Sequence, residues 1–217
     1  MYQHPLLISF NQESIERLKQ QSYEIQLEKG QPLFFQGDAA TVVYYIKSGI
    51  LKILKTSIQG QEKIFSIYSR GNLVALSVLF NDPHQYPASG VALEETVVVA
   101  IPIPELEKAI LSNHQATRAW FCHLNRRLEG VQQLLTDQVF IDARDRFKKV
   151  IQLFMKHKSF QKDGMIVFEM PLTKQEMAEL LSIRRETFSR LLSSLKEEGL
   201  CEYSKKQMCV NREWLES

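Results

Sequence analysis

Arg185, Glu186, Ser189 and Arg190 place four hydrogen-bonding side chains within two helical turns near the C-terminal end of this 217-residue chain. At ~100° per residue they share one side of a helix, and Phe188, Leu191, Leu192 and Leu195 share the other. A guanidinium fork matches O6 and N7 of guanine, a carboxylate accepts from N4 of cytosine, and a serine hydroxyl reaches base edges or phosphate. The chemistry these residue types point to is recognition of DNA in the major groove. A mixed Arg/Glu face opposite an apolar one is also what an ordinary solvated helix presents, so the neighbouring elements have to decide.

Those neighbours form a coherent frame. Thr173-Lys-Gln-Glu176 reads as a capping box that opens the helix Met177 to Leu181. After a tight turn at Ser182-Ile183, the second helix runs from Arg184 to a stop at Gly199. Two short strands, Leu200 to Tyr203 and Gln207 to Val210, are joined through Ser204-Lys205-Lys206 as a hairpin with a basic tip. Helix, turn, helix and hairpin make the layout of a winged helix-turn-helix, with Thr173, Arg184, Arg185, Glu186, Ser189, Arg190, Lys205 and Lys206 as candidate DNA contacts.

Upstream, a different period rules. From Ile25 to about Pro104, stretches rich in β-branched and aromatic residues alternate with turn signals: Thr41 to Ile46, Ile50 to Leu54, Lys63 to Tyr68, Leu73 to Leu76 and Thr96 to Ile101. Many short strands at close spacing imply a sandwich or barrel. A short helix at Glu105 to Leu111 precedes 29 residues, Asn113 to Ile141, without proline. There Trp120, Leu124, Leu128, Val131, Leu135 and Gln138 recur at steps of three and four, the stripe of a long amphipathic helix. Such a stripe is buried either against a second copy of the helix or across the chain's own β-domain. Asp142-Ala-Arg-Asp145 then caps a new helix after a bend. The expected architecture is α+β, divided at 1–112, 113–141 and 142–217.

Composition removes several classes of function. With 44% hydrophobic and 24% charged residues the chain is neither disordered nor fibrous. The longest apolar run, Val97 to Ile103, is far short of the ~20 residues of a membrane span and is broken by Pro102. The first residues show no basic region leading into an apolar stretch, so a cytoplasmic protein with no membrane partner is expected. Cys122, Cys201 and Cys209 form no Cys-x-x-Cys pair, which argues against a zinc finger or a sequence-local iron-sulfur motif. No phosphate loop, His-Glu-x-x-His or nucleophile elbow is present, so no enzyme and no metal site is expected. The net charge of +2 divides unevenly: residues 142–217 hold 15 Lys and Arg against 12 Asp and Glu, and residues 1–141 hold 12 against 13.

Several separate stretches, in order, resemble the Crp/Fnr family of bacterial transcription regulators. Phe35-Gln-Gly-Asp38, Tyr45 to Lys52, Gln61 to Ile64 and Arg70-Gly-Asn-Leu73 are similar to successive turns and strands of the family's cyclic-nucleotide-binding-type β-roll. Leu180 to Leu192 is similar to its recognition-helix signature and is the most specific match. The resemblance implies an antiparallel β-roll of double-stranded β-helix type, a long dimerisation helix with Asp142 as hinge, and a winged helix. It further implies a homodimer that reads a palindromic operator, with half-sites close to TGTGA or TTGA, and acts on RNA polymerase. Arg184 departs from the family pattern, which has Ser as the helix cap.

The resemblance also bears on the effector. Members that bind cyclic AMP carry a Gly-Glu pair and an Arg-Ser/Thr pair where this chain reads Ala75-Leu76 and Tyr86-Pro87. A cyclic phosphate without its guanidinium is costly to bury, so cyclic AMP is not the expected ligand. The N-terminal cysteine group of the oxygen-sensing members is missing as well. The readings left open are a small apolar or aromatic ligand near Leu76, Tyr86, Pro87, Val131 and Gln132, haem with His84, His114, His123 or Cys122 as axial ligand, redox sensing by Cys201 and Cys209, or no effector at all.

Overall fold

The structure is a computed structural model that describes residues 4–60, 62–155, 159–162, 164–204 and 206–216. Lys205 and the side chain of Gln138, both candidates from sequence, lie outside the described residues. The chain divides into two compact units, Met1–Gly130 and Val131–Ser217.

The first unit begins with the helices α1 (Pro5–Ile8) and α2 (Gln12–Gln21). Strands β1 (Tyr23–Leu27), β2 (Pro32–Phe34), β3 (Val42–Ser48), β4 (Ile50–Thr56), β5 (Glu62–Ser69), β6 (Leu73–Val74), β7 (Ser89–Ala92) and β8 (Thr96–Pro102) follow, then α3 (Ile103–Leu111). The strands form two antiparallel four-stranded sheets, in the orders β1-β8-β3-β6 and β2-β7-β4-β5. Val42 to Ile46 are all buried, because one face of β3 looks into the roll while α2 and α3 pack on the outer face of its sheet. Leu6, Leu18, Ile103, Leu106 and Ile110 close that outer layer. Each such side chain, fully buried, stabilises the fold by ~1.5–3 kcal/mol.

The β3–β4 turn depends on Gly49. Its φ is +86°, and a Cβ there would lie 2.3 Å from the Thr96 hydroxyl oxygen. That hydroxyl is committed: it donates to the Glu94 carbonyl at 2.8 Å and accepts from the Ile50 N–H at 3.2 Å. The stretch read as a strand from Leu73 to Leu76 stops at Val74, since Ala75 adopts φ 66° and starts a 3-10 turn over Leu76–Val78.

The long helix α4 spans His114–Phe140, about 40 Å at ~1.5 Å per residue. Among the described residues no helix is long and apolar enough to cross a membrane.

In the second unit, α5 (Ala143–Met155), β9 (Phe160–Lys162), β10 (Met165–Glu169), α6 (Lys174–Leu180), α7 (Arg185–Glu197), β11 (Cys201–Ser204), β12 (Gln207–Asn211) and α8 (Arg212–Glu216) follow in order. Its sheet is antiparallel in the order β11-β12-β10-β9. The core is built around Phe147 and Phe188, whose rings meet edge to face at 5.2 Å. Asp142 precedes α5, where its carboxylate accepts the Asp145 N–H at 2.9 Å and so occupies the cap position.

Candidate nucleic-acid interface and roll cavity

The helix-turn-helix is held by local chemistry. Thr173 caps α6, accepting the Glu176 N–H at 3.2 Å, while the Glu176 carboxylate accepts the Thr173 N–H at 2.8 Å. The turn to α7 is made by Ser182 at φ 57°, with the Ile183 N–H bonded back to the Ala178 carbonyl at 3.0 Å. Phe188, Leu192 and Leu195 are fully or nearly fully buried, which fixes the rotation of α7 about its axis.

That rotation turns Arg185, Glu186 and Arg190 outward. All three are exposed in the first two turns, and among the described residues no hydrogen bond or ion pair engages their side chains. Ser189 is half-buried beside them. Arg184 occupies the N-cap in extended conformation and its side chain makes no capping hydrogen bond to the helix. The opposite end of α7 is different: Glu198 is paired with Arg144 at 2.8 Å, and Lys196 with Glu202 at 2.7 Å. The pairings sit away from the N-terminal turns.

The wing is braced on the same frame. The Tyr203 hydroxyl donates to the Leu172 carbonyl at 3.3 Å, and the Lys174 ammonium lies 6.0 Å from the Tyr203 ring centroid. Lys206, at the hairpin tip with φ 69°, is exposed, and its carbonyl accepts the Met170 N–H at 2.8 Å.

In the first unit the roll and α4 line an open cavity of about 280 Å³. Its walls come from Phe34, Ile53, Phe65, Tyr68, Leu76 and Pro87, and Lys55 and Arg127 are the charged groups on the lining. Leu76 and Pro87, expected there from sequence, do line it. Tyr86 does not: its hydroxyl is bonded to the Val42 carbonyl, and its ring stacks on Phe34 at 4.4 Å within the core. The long helix contributes Arg127, whereas Val131 and Gln132 are solvent-exposed further along it.

Residues 24–113 match the cyclic nucleotide-binding domain family, and residues 148–217 match the Crp-like helix-turn-helix domain family. The transcriptional activator protein Anr of Pseudomonas protegens is 31% identical over 180 residues, covering 80% of this chain and 70% of that protein. The chain belongs to the Crp/Fnr family of transcription regulators. The transcriptional activator protein FnrA of Stutzerimonas stutzeri is 28% identical over 85% of this chain and 75% of its own. In fold, this Crp/Fnr chain is similar to FixK2 from Bradyrhizobium japonicum, with a TM-score of 0.73 at 20% identity over 90% of this chain and 96% of that one. These relatives are transcription regulators, a non-enzymatic class.

The remaining sequence candidates of this Crp/Fnr chain scatter. Along α4 the stripe splits: Trp120 is 7% exposed and packs beside Phe80 and His123, whereas Leu128 and Leu135 are 58% and 61% exposed. Leu124 and Val131 are exposed with them, and so is Phe121, which sequence reading passed over. Positions 121, 124, 128, 131 and 135 step by three and four, so a strict heptad starting one residue after Trp120 was the available signal.

Cys201 pairs in register with Val210, and Cys209 with Glu202, so the two thiols point to opposite faces of the hairpin and do not face each other. Cys201 is buried, and burial pushes its thiol up to about 12. Cys122 is exposed. The His84 ring is held by the Val78 carbonyl at 2.8 Å, and His114 is exposed at the start of α4. His123 packs edge to face on His4 at 5.2 Å, both lining a small cavity of about 170 Å³ with Arg126 and Arg127. Among the described residues no cluster of three or more His, Cys, Asp or Glu is placed to hold a metal ion.

Lys55, Phe34, Phe65 and Arg127 are cavity residues that sequence reading missed. The signal for Lys55 was alternation: it stands two residues after Ile53, on the same side of β4.

Proposed function

We propose that this chain is a sequence-specific regulator that lays α7 in the major groove of a palindromic operator as a homodimer, under control of an effector other than cyclic AMP in the roll cavity. The observation that carries the reading is the outward set Arg185, Glu186 and Arg190, exposed and unpaired among the described residues on a helix whose other face is locked in the core. Arg184, Ser189, Thr173 and Lys206 are further candidates for phosphate contact. The homodimer is supported by the exposed heptad of α4, since a soluble chain leaves few such apolar stripes uncovered. Relatives bearing the name transcriptional activator support an action on RNA polymerase.

Fluorescence anisotropy with duplexes carrying inverted TGTGA or TTGA half-sites tests the reading. Binding should weaken steeply with salt, because phosphate contacts release counterions. Arg185→Ala should cost ~1–3 kcal/mol and relax selectivity at one base pair of each half-site. Unchanged affinity and selectivity in that variant would overturn the assignment of α7.

A further inference from the structure

We propose that the roll cavity takes a small monocarboxylic acid with an aromatic or medium-chain aliphatic body, its carboxylate held by Lys55 and Arg127; this names the effector class of the reading above and rests on it. Among the described residues the side chains lining the cavity are apolar apart from these two cations and the hydroxyls of Tyr68 and Ser77, and none is a carboxylate. Neither Lys55 nor Arg127 is paired with an acid among the described residues. Two unneutralised cations on the rim of an apolar cavity select a single anionic group attached to a hydrophobic body.

Placement sharpens the choice. The Lys55 ammonium sits 5.5 Å from the Phe65 ring centroid, so a cation–π contact keeps it against the cavity wall. Arg127 approaches from α4, the element that also carries the exposed heptad, so an acid held between strand and helix ties cavity occupancy to α4. Phe34, Phe65 and Tyr68 offer three aromatic walls. A cyclic nucleotide fits this lining poorly: no carboxylate is there to accept from its ribose hydroxyl, and Leu76 and Pro87 give its polar edges nothing to bond. The volume of about 280 Å³ lies just below the ~300–1,000 Å³ range of small-molecule pockets and so limits the ligand to a small molecule.

Isothermal titration calorimetry on the full chain without DNA tests the proposal with 4-phenylbutyrate, octanoate, their neutral amides and cyclic AMP. Both acids should bind, and the amides should bind on the order of tenfold more weakly, as expected for loss of a charge-assisted contact. Lys55→Met and Arg127→Met should each bring acid affinity down toward that of the amide while leaving amide affinity unchanged, and the retained amide binding shows that the variants fold. Equal affinity of acid and amide, no binding by either acid, or tighter binding of cyclic AMP would overturn the proposal. Operator binding measured separately by anisotropy distinguishes the two readings: its loss with acid binding intact removes the regulator, and the converse removes only the effector class.

Discussion

The hydroxyl of Tyr86 donates a 2.8 Å hydrogen bond to the carbonyl of Val42, 44 residues away in the chain, inside the roll. It also lies 3.2 Å from the Tyr44 hydroxyl, and burial raises the pKa of both phenols. Tyr86 therefore ties the segment before β7 to β3 and backs the cavity wall from behind, through its stack on Phe34.

Tyr86→Phe keeps the ring and removes the hydroxyl, leaving a buried carbonyl with one partner fewer. The expected cost is about 1 kcal/mol to the first unit, read as a lower urea midpoint of tryptophan fluorescence. Binding of an acid in the cavity should not change, because the hydroxyl does not face it. A large loss of ligand affinity with unaltered stability would place Tyr86 in the site instead.

Gly90 tests the same wall from the other side. A Cβ at this position would lie 2.7 Å from the Phe34 ring, which is clamped between Tyr44 at 5.4 Å and Tyr86 at 4.4 Å. Gly90→Ala should therefore cost ~1–3 kcal/mol by overpacking and push the Phe34 ring into the cavity. Thermal melting and acid titration should both register it.

His4 and His123 make the first unit sensitive to acid. Burial first, and then the charges of His123 and Arg126, lower the pKa of His4 from 6.5 to about 4; burial and Arg127 lower that of His123. A folded-state pKa below the unfolded one means that the unfolded chain takes up protons first. Stability is thus fully present above the unfolded value of 6.5 and is lost as pH falls toward 4. His4→Asn keeps an acceptor for the Leu6 N–H that His4 now caps at 3.2 Å, and removes one titrating ring. Melting temperatures at pH 7.5 and 5 should differ less in this variant than in the parent chain.

Leu124→Glu combined with Leu128→Glu puts two charges in the exposed heptad of α4. Sedimentation equilibrium should give twice the 25.2 kDa chain mass for the parent protein and the single-chain mass for the variant. Affinity for the full palindrome should fall in parallel, since two linked half-sites bind with the benefit of effective concentration. A parent protein that sediments as a monomer at micromolar concentration removes the paired-helix reading.

What was legible in the sequence was what depends on neighbours a few residues apart. The Thr173–Glu176 capping box, the Asp142 cap, the core face of Phe188, Leu192 and Leu195 and the β11–β12 hairpin all follow from spacings within one or two turns, and the structure shows each of them. Strands β1 and β7 were less legible: β1 presents mostly exposed polar residues, and Ser89-Gly-Val-Ala92 has little β-propensity, so their pairing with β8 and β4 supplies what the local pattern lacks.

The amino-acid sequence by itself determined the α+β class, the helix-turn-helix and the residues on the outward face of α7, because helical period and capping are local hydrogen-bond and burial rules. Only the tertiary structure decided that Tyr86 is core and not cavity, that Trp120 is buried in the first unit's core, that Cys201 and Cys209 face apart, and that Lys55 meets the same cavity as Arg127. Each of these depends on strand register or on which side of an element meets a partner distant in the chain, and burial of the shared core sets that choice.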